Sequence, residues 1–273
     1  MTSFRSIAGV NYSNWEEVYS IDFSDHDSGG AMSDSDTIEI KGVTWTAASS
    51  SLGGSEIVAG TGLILSPQLN SIMWNEALTK APFVFADMED IVPNLSMKDV
   101  ICMQWVHDYS ASSGDQFPND EFETVGGQIW NSDAGSGWYG IGVKGFAFQD
   151  DLTWAPWRGP DGAGAGEDNS DTDETKFRSF EVVWSFTGQT VIISSPSGST
   201  TVLADPLVAD YKRVYATGVY GTVNTWTADA AIESNTISNT NARAMLYAYT
   251  QAATVRGFKG IFTKFRVFRS PTS

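Results

Sequence analysis

From Phe180 to Phe186 the chain reads FEVVWSF, with its large apolar residues on alternate positions: Phe180, Val182, Trp184 and Phe186. A period of two marks a strand with one strongly apolar face and argues against an amphipathic helix here. Thr187, Gly188 and Gln189 separate this run from Thr190–Ser194 (TVIIS). Ser195, Pro196, Ser197 and Gly198 then supply turn chemistry before Thr200–Ala204 (TTVLA). The segment is expected to be a three-stranded antiparallel meander.

Comparable short runs recur at Thr37–Ile40, Val43–Thr46, Pro82–Ala86, Val100–Val106, Gln128–Trp130, Trp138–Val143, Arg213–Tyr220, Ala244–Tyr249 and Gly260–Phe268. So many short strands predict an all-β, two-sheet antiparallel sandwich of jelly-roll type. The 26 glycines, 12% aromatic content and 18% charged content suit strands joined by polar turns. Gly42 reads as a turn or bulge, while Gly140 and Gly142 suggest a strand approached closely on one face. Only one or two short helices are expected: one opening at Ser66–Pro67 with Leu69, Ile72 and Met73 on one side, and a weaker one at Ala228–Ser234. No internal repeat stands out, which disfavours propellers and solenoids.

The 273 residues are expected to hold a single sandwich domain over 21–273. Residues 1–20 form an arm or first strand. Phe4, Ile7, Val10, Tyr12, Trp15, Val18 and Tyr19 would dock it onto a partner or onto the chain's own sheet. The acidic, Gly-rich segment 158–174 (RGPDGAGAGEDNSDTDE) reads as a long surface loop.

A formal net charge of −17 opposes contact with nucleic acid or anionic membranes, which draw proteins through clustered Lys and Arg. Cys102, the only cysteine, lies in the apolar run VICMQWV, so burial is expected and an intrachain disulfide is excluded. The first twenty residues lack a signal-peptide apolar core, and no stretch approaches membrane-spanning length. The chain as given is expected to start in the cytoplasm, secretion requiring a removed leader or release by lysis.

Three stretches carry a resemblance: Ile38–Trp45 (IEIKGVTW) after a polar, Asp-rich opening, Glu121–Trp130 (EFETVGGQIW), and Phe258–Phe268 (FKGIFTKFRVF) near the end. Their order resembles concanavalin A-like, or laminin G-like, sandwiches. The resemblance implies two curved antiparallel sheets with the termini on neighbouring strands, in a family spread over lectins, glycan hydrolases and virion proteins. A fold so widely shared does not settle function.

Laminarinase-type hydrolases of this fold place alternate acids in E-x-D-x-x-E or E-x-D-x-E, and Asp120, Glu121 and Glu123 (DEFE) fall short of it. Glu121 and Glu123 would share a strand face about 6 to 7 Å apart, which a glycosidase pair can use. A solvated polar face is the alternative. His26 and His107 lack zinc-site spacing or a nucleophile partner, and surface or cap roles are expected. No nucleophile elbow or phosphate-binding loop is present.

No cofactor is expected. Calcium is the metal that Asp25, Asp27, Asp34, Asp36, Asp171, Asp173 and Glu174 could suit, against the alternative of hydrated acidic loops. The loop Trp154-Ala155-Pro156-Trp157-Arg158-Gly159 is the candidate carbohydrate site, with Trp154 and Trp157 stacking on sugar faces and Arg158 binding hydroxyls. The alternative is that both rings cover a sheet edge or a subunit contact.

The expected function is that of a non-enzymatic structural protein of a virus particle, a phage decoration, fibre or spike protein. It would be assembled in the host cytoplasm, displayed on the virion surface and partnered by capsid or tail proteins and a host-surface glycan. A carbohydrate-binding module ranks second, and a glycan-active hydrolase using Glu121 and Glu123 third. A homo-oligomer, a trimer if a fibre or spike, is expected because Phe83 and Phe85 opposite Val84 suggest strands covered on both faces.

Overall fold

A computed structural model of the chain describes residues 15–48, 53–67, 81–110, 123–132, 140–148, 151–158, 178–186, 190–193, 201–203, 211–213, 218–219, 238–250 and 259–271. Its elements are β1 (Glu16–Asp22), β2 (Thr37–Ile40), β3 (Val43–Ala48), β4 (Gly53–Val58), β5 (Gly62–Pro67), β6 (Phe83–Asp87) and the single helical turn α1 (Met88–Ile91). There follow β7 (Val100–Ser110), β8 (Glu123–Asn131), β9 (Gly140–Phe148), β10 (Asp151–Arg158), β11 (Arg178–Ser185) and β12 (Thr190–Ile193). The remaining strands are β13 (Thr201–Leu203), β14 (Tyr211–Arg213), β15 (Gly218–Val219), β16 (Ala242–Thr250) and β17 (Lys259–Arg269).

The strands form a ten-stranded and a seven-stranded sheet. The first runs β13-β14-β11-β7-β17-β5-β4, with β1 also on β17 and with β12 and β15 continuing beside β11. The second runs β10-β9-β8-β16-β6-β3-β2. Pairings among the described strands are antiparallel except the short parallel contact of β11 with β14. The fold is thus the expected all-β, two-sheet antiparallel sandwich.

Local expectations fared unevenly. β11 and β12 form the expected hairpin, with Trp184 opposite Val191. The third strand does not extend it, because Ile192 and Ile193 of β12 pair with β15 and β13 pairs with β14. Ser66 and Pro67 end strand β5, whose Leu63 and Leu65 alternate into the core and which pairs with β4 and β17; Leu69, Ile72 and Met73 of the expected helix lie outside the described residues. Ala228–Ser234 and most of the 158–174 loop lie outside the described residues.

The sandwich closes by size complementarity. The ten-stranded sheet sends in Ile101, Met103, Trp105, Phe262, Phe265 and Val267, while β16 answers with Ala242, Ala244, Leu246 and Ala248. A register shift between Phe262 and Lys264 lets Phe262 and Phe265, three positions apart, enter the same core. Gly127 of β8 lies under the Trp105 ring, where a Cβ would come within 2.8 Å of it. Gly260 is similarly crowded, by Ala248 and Val125.

Residues 16–20 belong to β1, which pairs with β17 and carries buried Tyr19 and Ile21. The Tyr19 hydroxyl donates to the Ile40 carbonyl at 2.9 Å and accepts from Trp45 Nε1 at 3.0 Å. Burial pushes the Tyr19 phenol up to about 12, against the opposing effect of the Trp45 bond, so it stays neutral. Trp45 in turn meets Phe23 and Phe265 edge-on, at 5.4 and 5.1 Å. At the end of β1, Asp22 accepts from the Ser24 hydroxyl and amide and lies 3.3 Å from Lys264 Nζ. Partial burial would raise its carboxyl, but the Ser24 hydrogen bonds and the Lys264 charge outweigh this and hold it below the usual aspartate range.

Parts of both sheets are also buried on the face away from the core. Phe83 and Val84, on opposite faces of β6, are both buried, and so are Cys102, Gln104, Val106, Arg266 and Phe268 on the far face of β7 and β17. Of the alternating Phe83, Val84 and Phe85, the first two are buried within the chain and Phe85 is half-buried.

Two outcomes follow. Gly127→Ala is expected to destabilise by about 1–3 kcal/mol through overpacking against Trp105, whereas Gly54→Ala, with open space at its Cβ, should change stability far less; urea unfolding of both variants checks the ordering. The stability from Asp22 is present above the ordinary aspartate pKa of about 3.9 and is lost as pH falls through the depressed folded value. The unfolding free-energy gap between the parent chain and Asp22→Asn should therefore narrow on acidification through that range, and a constant gap would refute the linkage.

Candidate functional site

The outer face of the seven-stranded sheet is a lattice fixed by register. Along β8, Val125, Gly127 and Ile129 face the core, so Gly126, Gln128 and Trp130 face out. On β16 the outward residues are Arg243, Met245 and Tyr247, and on β6 they are Phe83, Phe85 and Asp87. Antiparallel pairing then lines up rows across the strands. One row joins Gly140, Trp130, Arg243 and Asp87. The next joins position 157 of β10 to Gly142, Gln128, Met245, Phe85, Thr46 and Thr37. A third joins Gly126, Tyr247, Phe83 and Ala48.

At the centre of this lattice the Arg243 guanidinium lies 5.0 Å from the Phe85 ring centroid and 5.6 Å from that of Trp130. Its Nε donates to Asp87 Oδ1. Phe83 and Phe85 both meet Trp130 edge-on, at 6.0 and 5.6 Å. Gln128 Nε2 donates to Met245 Sδ at 3.0 Å. Trp130 is 8% exposed, and its Nε1 is buried with no hydrogen-bond partner among the described residues.

Burial divides the face in two. Gln128, Met245, Tyr247 and Phe83 are buried, whereas Phe85 and Thr46 are half-buried and Asp87, Thr44, Thr37 and Glu39 are exposed. Arg243 stands at the border, its side chain 29% exposed against 53% for Asp87. Glycines at 126, 140 and 142 leave the strip over β8 and β9 without side chains at those positions. The open margin offers the half-buried Phe85 ring, the Arg243 guanidinium and the Thr46, Thr44 and Thr37 hydroxyls.

The residues singled out from sequence are distributed differently. The Trp154–Arg158 segment, expected as a loop, is strand β10 at the edge of this sheet, where Pro156 is tolerated because an edge strand does not need every N–H in the ladder. Position 157 pairs with Gly142 and so shares the outer-face row, while Trp154 pairs with Gly145 and Arg158 with Ile141, in the other parity. Their side chains lie outside the described residues. Glu123 begins β8 in the parity of Val125 and Gly127, opposite Thr250, and Glu121 lies outside the described residues.

His107, expected at the surface, is buried in the core: Trp105 Nε1 donates to its Nδ1 at 3.1 Å, and its ring meets Phe262 edge-on at 5.5 Å. It shares the inward parity of Ile101, Met103 and Trp105, and this placement overrides its polarity. His26 takes the expected cap role, its N–H donating to Phe23 O after a short 3-10 turn. Asp27 and Asp36 accept from the Gly29 and Ser33 amides and so close their own turns beside an open pocket of about 460 Å³ lined also by Met32 and Ile38. Among the described residues no three His, Cys, Asp or Glu side chains gather as metal ligands; Asp171, Asp173 and Glu174 lie outside them.

No family model and no curated protein matches the chain. Among solved structures it is similar to alginate lyase A1-II', a member of polysaccharide lyase family 7, at 16% identity over 85% of this chain and 82% of that one, with a TM-score of 0.38. A doubly substituted form of that lyase, in complex with substrate, gives 14% identity over 85% and 80%, with a TM-score of 0.36. The expectation of a virion structural or capsid-decoration protein is corrected here: the similar structures named are polysaccharide lyases, and no virus-particle protein is among them. The serine- and glycine-rich β composition behind that expectation belongs equally to sandwiches with other roles.

Arg243→Ala is expected to cost about 1–2 kcal/mol of folding stability, because its guanidinium packs on two rings. Asp87→Ala should stay within about 0.5 kcal/mol, since an exposed ion pair contributes little. Urea unfolding of the single and double variants checks this, and the reverse ordering would make the ion pair the dominant contact.

Proposed function

We propose that the chain is a glycan-active protein that takes a polysaccharide along the outer face of its seven-stranded sheet. The observation that carries this reading is the row of outward groups crossing adjacent strands, with Arg243 over Phe85 and Trp130 at its open margin. Aromatic faces suit the apolar faces of sugar rings, and amide, indole and guanidinium donors suit their hydroxyls. From Arg243 across Phe85 and Thr46 to Thr37 the open margin crosses β16, β6, β3 and β2, spacings of about 4.8 Å each, roughly 14 Å in all, long enough for a short run of sugar rings. Position 157 of β10 falls in the same outward parity by register.

The test is to screen the purified chain against a panel of polysaccharides, measuring binding by calorimetry and cleavage by the appearance of new chain ends. Binding with cleavage makes it an enzyme, and binding alone makes it a lectin-like module. Trp130→Ala and Phe85→Ala are expected to weaken binding at least about tenfold, or 1.4 kcal/mol. Trp130→Phe and Phe85→Leu, which keep apolar bulk, guard against loss by misfolding. Failure to bind any polysaccharide, or four variants indistinguishable from the parent, would overturn the proposal.

A further inference from the structure

We infer that the glycan taken by this face is uncharged; the inference rests on the polysaccharide reading above and narrows its substrate class. Recognition of a polyanion needs a surplus of available cations at the site. Among the described residues Arg243 is the cation on this face, and it is already engaged, by Asp87 through Nε and by the rings of Phe85 and Trp130. A carboxylate or sulfate arriving at Arg243 would meet the Asp87 carboxylate at the same group.

The other charged positions do not redress this. Glu39 lies outward and exposed on β2. Among the described side chains this face therefore sets one cation, Arg243, against two carboxylates, Asp87 and Glu39, in a chain whose net charge is −17. Polyanions would be repelled both locally and over the whole molecule.

What the face does offer is neutral. The half-buried Phe85 ring and the Thr46, Thr44 and Thr37 hydroxyls continue the same character toward β2. Arg243 then acts through its planar, ring-stacked guanidinium as a hydroxyl donor and spacer, with its charge balanced in place.

The deciding experiment titrates the full chain with uncharged polysaccharides (a β-glucan, a mannan, a starch) and with carboxylated and sulfated ones, each at about 0.02 M and about 0.5 M NaCl, a range over which screening of exposed charge becomes nearly complete. Expected are binding to at least one uncharged polymer with affinity unchanged within about twofold across that range, and binding to polyanions at least tenfold weaker. Asp87→Asn should raise polyanion affinity at low salt about fivefold or more by releasing Arg243. Preferential or equal binding of a polyanion, falling steeply with salt, overturns this inference while leaving the polysaccharide reading standing. Binding of neither class overturns both, and an unaltered polyanion affinity in Asp87→Asn overturns the role given to the ion pair.

Discussion

The sandwich depends on one steric fit, the Trp105 ring of β7 seated over the bare backbone of Gly127 in β8. A sheet with Trp105, Phe262 and Phe265 on its inner face can close only on a partner that is small where these are large. The run of alternate alanines on β16 and the glycine on β8 provide that partner. Close packing leaves little room to relax, so strand register on either side is tied to this contact. The same register decides which residues of β8, β16 and β6 look outward, and the composition of the candidate glycan face follows from the core behind it.

That outer face is unusual in burying polar and aromatic groups together. Gln128 and Tyr247 are buried beside Met245 and Phe83, while Arg243 stands half-exposed at their border. A buried polar group costs free energy unless it is satisfied, and the Gln128 amide meets this by donating to a thioether sulfur. The Arg269 guanidinium plays a comparable part beyond the α1 turn, gripping the buried Asp99 carboxylate and the carbonyls of Pro93 and Asn94. In both places an arginine holds segments together that lie more than 150 residues apart in sequence.

Period-two alternation made most of the strands legible in the sequence, because it is local. Phe180–Phe186, Val43–Thr46 and Gly260–Phe268 could be read without knowing their neighbours, and the turn at Gly42 carries the positive φ its glycine permits. What could not be read was pairing. Nothing in TTVLA says that it joins β14 instead of β12, and nothing in Ser66–Pro67 shows that the neighbouring leucines are claimed by β4 and β17. The site was hidden for the same reason: Gln128 and Met245 are 117 residues apart, and only the adjacency of β8 and β16 makes them one surface. The Trp154–Arg158 segment drew attention by composition, but the strand period sends its two tryptophan positions to opposite parities.

β17 pairs along one edge with β7 and along the other with both β1 and β5. It occupies the middle of its sheet, yet it is made after every strand it touches. During synthesis β1, β5 and β7 must therefore wait on the ribosome with open edges until residue 269 has emerged, so this sheet cannot close progressively from the N-terminus. In its nascent form β7 pairs with β11 along one edge and presents the other unpaired, and that open edge is where the chain is most exposed to mispairing with its neighbours.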